Sequence, residues 1–135
     1  MSNYIVFSSY YKHGETSCDV YTSFKDCFGG LVQSIFDFIS KHNENLDEYE
    51  EEDEMVEEIK TNENYFNKYK ILFETESDAS NTEKLYQIFI DSINCSDKEF
   101  FDDVIEMNKV LYDNDWSVRG IVKVPSNSYS CWFQQ

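Results

Sequence analysis

Residues 4–38 read YIVFSSYYKHGETSCDVYTSFKDCFGGLVQSIFDF, and the order of patterns within them decides the fold class. Residues 4–11 are rich in aromatic and β-branched types, and Lys12, His13, Gly14 and Glu15 then supply turn chemistry. In residues 16–22, Cys18, Val20 and Thr22 alternate against Ser17, Asp19 and Tyr21. Two such runs around a glycine-bearing turn predict a β-hairpin. Ser23 follows as a helix N-cap, with Asp26 three residues on, where backbone amides and the helix dipole favour a carboxylate. Phe24, Phe28, Leu31, Ile35 and Phe38 then recur at spacings of four, three, four and three, one face of a helix. Gly29 and Gly30 oppose that helix by about 2 kcal/mol together, relative to alanine. Either burial of the stripe outweighs this cost or the helix proper begins near Gly30. The missing side chains would also admit a strand or an aromatic ring packed closely against them.

Working outward, residues 53–67 are read as a helix and 69–75 as a strand, because Tyr69, Ile71, Phe73 and Thr75 alternate. Residues 77–81 form a polar loop. Leu85, Ile88, Phe89 and Ser92, with Tyr86, Ile90 and Ile93 beside them, predict a helix that is apolar nearly all round and therefore buried. Ser96 and Glu99 match a capping box ahead of Phe100, Phe101, Val104, Ile105, Met107, Leu111 and Tyr112, with Asp102, Asp103, Glu106 and Asp113 on the opposite side. Asp113, Asn114 and Asp115 end that helix, and Val118 to Val124 reads as a strand closed by Pro125. The last ten residues carry Cys131, Trp132 and Phe133, apolar bulk that predicts docking onto the body. With no repeat and no Pro- or Ser-rich linker, residues 1–135 are expected to form one α+β domain. Its small, mainly antiparallel sheet, the N-terminal hairpin plus later strands, would pack against three to four helices.

The charge is as uneven as the pattern is regular. The 135 residues hold 27 Asp and Glu against 11 Lys and Arg, a net charge of −16, yet 41% are hydrophobic and 17% aromatic, enough to fold. Within residues 44–58, ten of fifteen residues are acidic and none is basic, leaving 17 acids against 11 bases, a net of −6, elsewhere. Such a surface repels phosphate backbones and anionic lipid headgroups, which argues against direct nucleic-acid or membrane-surface binding and for a basic protein partner. The amino terminus shows no basic region or long apolar run, and no window reaches the length of a membrane span, so a cytoplasmic protein is expected. Cys18, Cys27, Cys95 and Cys131 form no C-x-x-C pair and are read as reduced thiols.

No motif names a reaction. His13 at the hairpin turn and His42 after the first helix are read as exposed, and no nucleophile signature, phosphate loop, EF-hand spacing or metal-ligand cluster surrounds the candidate residues. A binding protein without catalytic residues, cofactor or metal is the expectation. Its candidate contact residues are Glu50, Glu51, Glu52, Asp53, Glu54, Glu57 and Glu58, together with Asp102, Asp103 and Glu106. On a helix, carboxylates three and four apart lie about 5 to 6 Å from each other, a rigid array suited to a basic groove. The alternative is a small-ligand binder whose aromatic pocket draws on Tyr4, Tyr10, Tyr11, Tyr21, Trp116 and Trp132. Oligomeric state is open between monomer and homodimer.

In size, charge and its Asn-, Asp-, Tyr- and Ile-rich composition, the chain resembles the small acidic proteins that phages and other viruses encode to inhibit host defence proteins, some of which act as DNA mimics. The resemblance implies a host-cytoplasmic inhibitor occupying the nucleic-acid groove of a defence enzyme. It differs from several such mimics in concentrating its charge in residues 44–58 rather than spreading it, so a local acidic patch is the form expected here.

Overall fold

Alternation and turn chemistry at the amino terminus produce strands β1 (Ser2–Tyr10) and β2 (Glu15–Tyr21), paired antiparallel with Ile5 opposite Val20 and Phe7 opposite Cys18. Gly14 closes the hairpin at φ +65°, a left-handed conformation open to glycine, and its amide donates to the Tyr10 carbonyl at 2.9 Å. The computed structural model describes residues 2–10, 14–48, 56–110 and 117–125. His13, the helix end at residues 113–115 and the apolar last ten residues lie outside them.

Strand β3 (Ser117–Pro125) joins the far side of β1, giving the sheet order β2-β1-β3, antiparallel throughout, with a bulge opposite Phe7 and Ser8. The helices are α1 (Phe24–Glu48), α2 (Val56–Thr75), α3 (Thr82–Ile88), a π-helical turn (Phe89–Ile93) and α4 (Asp97–Val110). This is the α+β arrangement expected of the chain, with the helices against one face of the sheet.

Helix α1 starts as its sequence predicts, the Ser23 hydroxyl accepting from the Asp26 amide at 3.1 Å. It runs straight through both glycines, so burial of the stripe wins: Phe28, Leu31, Ile35 and Phe38 are at most 1% exposed. At about 1.5 to 3 kcal/mol per fully buried apolar side chain, the four together outweigh the glycine cost severalfold. The ring that exploits Gly30 is Tyr21. A Cβ on Gly30 would lie 2.5 Å from Tyr21 Cζ, whereas one on Gly29 would meet only Thr82, at 3.6 Å.

Three expectations are corrected. Residues 69–75 are helical, not a strand, because α2 continues to Thr75. The alternating residues also fit helical spacing, and as a helix Tyr69 and Leu72 bury completely against α1 and α4. The segment after residue 81 is not buried all round: Leu85 and Phe89 are at the core, while Ile90 is 41% exposed. Helix α3 gives way to a π turn that ends at Asn94, φ +48°, which changes the phase of the apolar face. His42 is inside α1 and 2% exposed, not at an exposed helix end.

The core is a continuous aromatic stack. Phe28 packs on Tyr86, Phe89 and Phe100 with centroids 5.1 to 5.5 Å apart, and Phe24 bridges from Tyr4 on β1 at 6.1 Å to Phe101 on α4 at 5.7 Å. Asn108 ties α4 to β3, its Nδ2 donating to the Val104 carbonyl and its Oδ1 accepting from the Val118 amide, both at 2.8 Å. No helix among the described residues is long and apolar enough to cross a membrane.

Candidate functional site

The acidic run is flanked by two antiparallel helices. Phe36 packs on Phe73 and His42 on Phe66, with centroids 5.5 and 4.9 Å apart, so residues rising along α1 meet residues falling along α2 and the helices are antiparallel. The carboxyl end of α1, at Glu48, and the amino end of α2, at Val56, therefore lie at the same end of the pair. The two flanks of the acidic run lie at that end. Glu44, Asp47 and Glu48 fall on the last turns of α1, Glu57 and Glu58 on the first turn of α2. Glu50, Glu51, Glu52, Asp53 and Glu54 lie between, outside the described residues. Phe24 contacts the sheet, and Glu44 is twenty residues further, about 30 Å along the helix axis. The helix predicted over 53–67 is observed from Val56 onward.

His42 sits below this tip, stacked on Phe38 at 5.9 Å and tilted against Phe66 at 4.9 Å. Its Nε2 is buried and makes no hydrogen bond. Burial lowers its pKa, only partly opposed by the negative charge of Glu63. The imidazole is thus held neutral as part of the helix–helix packing. Sequence spacing carried a signal for this, because His42 falls four residues after Phe38 and continues the stripe of α1.

The second acidic face is not the open surface its sequence suggested. Asp102 is exposed, as expected, but Asp103 turns toward α2, where Lys68 Nζ and Tyr69 Oη both donate to its carboxylate at 2.6 Å. Lys68 also donates to Glu99 at 3.0 Å, and Lys109 pairs with Glu106 at 2.8 Å. Burial depresses the Lys68 ammonium, but its hydrogen bonds to Asp103 and Glu99 outweigh this and leave its pKa raised. Burial first, and the Asp103 contact second, raise the Tyr69 phenol. Asp103 is therefore a latch between α2 and α4 rather than a contact free for a partner, and Glu106 is half-shared with a lysine. Reading 69–75 as a strand concealed the latch, since only a helix places Lys68 and Tyr69 where both reach Asp103.

Burial pushes the Cys27 thiol up to about 12, and it raises Cys95 as well, so neither is an activated nucleophile. Of the aromatics weighed for a ligand pocket, Tyr4 is in the core, Tyr21 covers Gly30, Tyr10 is half-buried, and Tyr11, Trp116 and Trp132 lie outside the described residues. An open groove of about 530 Å³ runs beside Tyr21, between the start of α1 and that of α3, and the Lys25–Glu83 ion pair at 2.9 Å spans it. Among the described residues no three His, Cys, Asp or Glu side chains gather to hold a metal ion. Comparison of the chain with protein-family models, curated proteins and solved structures finds no match.

Proposed function

We propose that this chain is a non-enzymatic binding protein whose acidic hairpin tip engages a basic surface on a protein partner. The observation that carries the reading is a run of ten carboxylates and no base over fifteen residues, five of them at the neighbouring ends of the antiparallel helices α1 and α2. Elsewhere five lysines pair with acids of the body: Lys25 with Glu83, Lys84 with Glu76, Lys109 with Glu106, Lys123 with Asp97, and Lys68 with Asp103 and Glu99. Residues 44–58 hold ten of the 27 acids and none of the 11 bases, so most of the net charge of −16 is local.

Carboxylates three and four apart on a helix offer charges about 5 to 6 Å apart, close to the spacing of phosphates along a nucleic-acid strand. A groove built to bind nucleic acid is the basic surface such an array fits best. The compositional resemblance to virus-encoded inhibitors supports a host defence enzyme as the owner of that groove. Glu50, Glu51, Glu52, Asp53, Glu54, Glu57 and Glu58 supply the main contact, with Asp102 a secondary one.

Electrostatic attraction of this kind acts mainly on the rate of encounter and weakens with salt. The test is capture from an extract of the cells in which the chain occurs, followed by elution with increasing salt or with duplex DNA. The partner should be released as ionic strength approaches about 1 M, where the screening length falls to about 3 Å, and DNA should compete for it. Capture that resists both salt and DNA overturns the reading.

A further inference from the structure

The two outer strands of the sheet are protected unequally. Strand β3 is interrupted by the bulge opposite Phe7 and Ser8 and carries Lys123 and Pro125, features that blunt an edge against a further strand. Strand β2 pairs with β1 over seven successive residues without a bulge, and it holds neither proline nor lysine. Five of its seven residues are exposed, and among the described residues no strand lies beyond it. Alternate residues of β2 therefore turn an amide and a carbonyl away from β1, along an edge about 23 Å long.

Charge decides what fits this edge. Asp19 and Tyr21 stand opposite the buried Val6 and Tyr4, hence on the helix side of the sheet, where the groove of about 530 Å³ beside Tyr21 is lined further by Lys25, Asp26 and Glu83. Lys25 is committed to Glu83, while among the described residues Glu15, Asp19 and Asp26 form no ion pair. Val20, on the other face, is 38% exposed. A second copy pairing edge to edge would bring Glu15 and Asp19 of each strand along one seam with no base, an arrangement that repels. A basic strand meets the same acids with attraction. We propose that β2 accepts an extended basic segment of a protein partner as a fourth strand. Lys or Arg at alternate positions faces Asp19 and the groove at Asp26 and Glu83, and β-branched apolar residues between them lie beside Val20. Main-chain hydrogen bonds supply the affinity and the alternating side chains the specificity. This surface is at the start of α1, away from the acidic run that begins at its far end, and it stands or falls independently of the function proposed for that run.

The probe is a fluorescein-labelled Thr-Lys-Val-Lys-Val-Lys-Thr amide titrated with the full chain at about 0.15 M salt and read by anisotropy. In an extended strand the lysine amides point to one edge and the valine amides to the other. N-methylating one of these sets should weaken binding roughly tenfold or more, and methylating the other should change it little, because only one set faces β2. Asp19→Lys should weaken binding to a similar degree, and neutralising residues 50–54 should leave it nearly unchanged. The methylated peptides act on the unaltered protein, so their comparison decides the matter even where a variant fails to fold. Equal affinity of both methylated peptides, undiminished binding by a folded Asp19→Lys chain, binding that disappears when residues 50–54 are neutralised, or no binding at all overturns the proposal.

Discussion

The two ends of helix α1 follow opposite rules. Where it meets the sheet, Phe24 and Phe28 join rings from β1, α3, α4 and the π turn, and Lys25 there pairs with Glu83 of α3. At the other end begins a run of fifteen residues with ten acids and no base. The first arrangement gains stability by removing apolar area from water; the second tolerates mutual repulsion that folding does not require. Stability is concentrated in the first region, and the proposed function places partner chemistry in the second, so substitutions should separate them.

The largest effect should come from the aromatic end. Phe28→Ala removes a fully buried ring and should cost about 3–5 kcal/mol of unfolding free energy, measured by urea denaturation. Asp103→Ala should follow, at about 2–3 kcal/mol, since it strips the acceptor from Tyr69 and Lys68, whereas Asp102→Ala on the exposed side of α4 should stay within about 0.5 kcal/mol. Equal effects at the two aspartates would break the distinction between latch and surface. Gly29→Ala should stabilise by up to about 1 kcal/mol through helix propensity. Gly30→Ala should give none of that gain, because Tyr21 must move, and should recover it in a Tyr21→Ala background.

The smallest effect belongs to His42, at the border between the regions. Its folded-state pKa lies below the unfolded value, so the unfolded chain binds the extra proton first and stability is lost as pH falls below about 6.5. The urea midpoint should drop between pH 7 and pH 5, and His42→Gln should reduce that drop. An identical pH profile in the variant would remove His42 from the packing account.

Much of this division was legible before any coordinates. The hairpin, the Ser23 cap, the stripe from Phe24 to Phe38 and the Ser96 cap are local patterns, and local hydrogen bonds and periodicity realise them directly. What sequence misread depended on tertiary partners. Tyr69, Ile71 and Phe73 satisfy both a period of two and a helical face, and burial of Tyr69 and Leu72 between helices selects the helix. Asp103 looked like one more surface acid because its partners stand 34 and 35 residues away. His42 looked like a helix terminus because α1 runs on to Glu48 through residues too polar to extend the apolar stripe. The location of the acidic run was plain from composition; that its flanks lie on antiparallel helices required the ring contacts between α1 and α2.

The separation of the two ends is tested most directly by one variant, Glu50→Gln, Glu51→Gln, Glu52→Gln, Asp53→Asn and Glu54→Gln combined, measured for both denaturation midpoint and partner capture. The account predicts a midpoint unchanged or raised, as repulsion is relieved, and capture abolished at the salt concentration where the unaltered chain binds. Capture at full strength by the neutralised tip would contradict it.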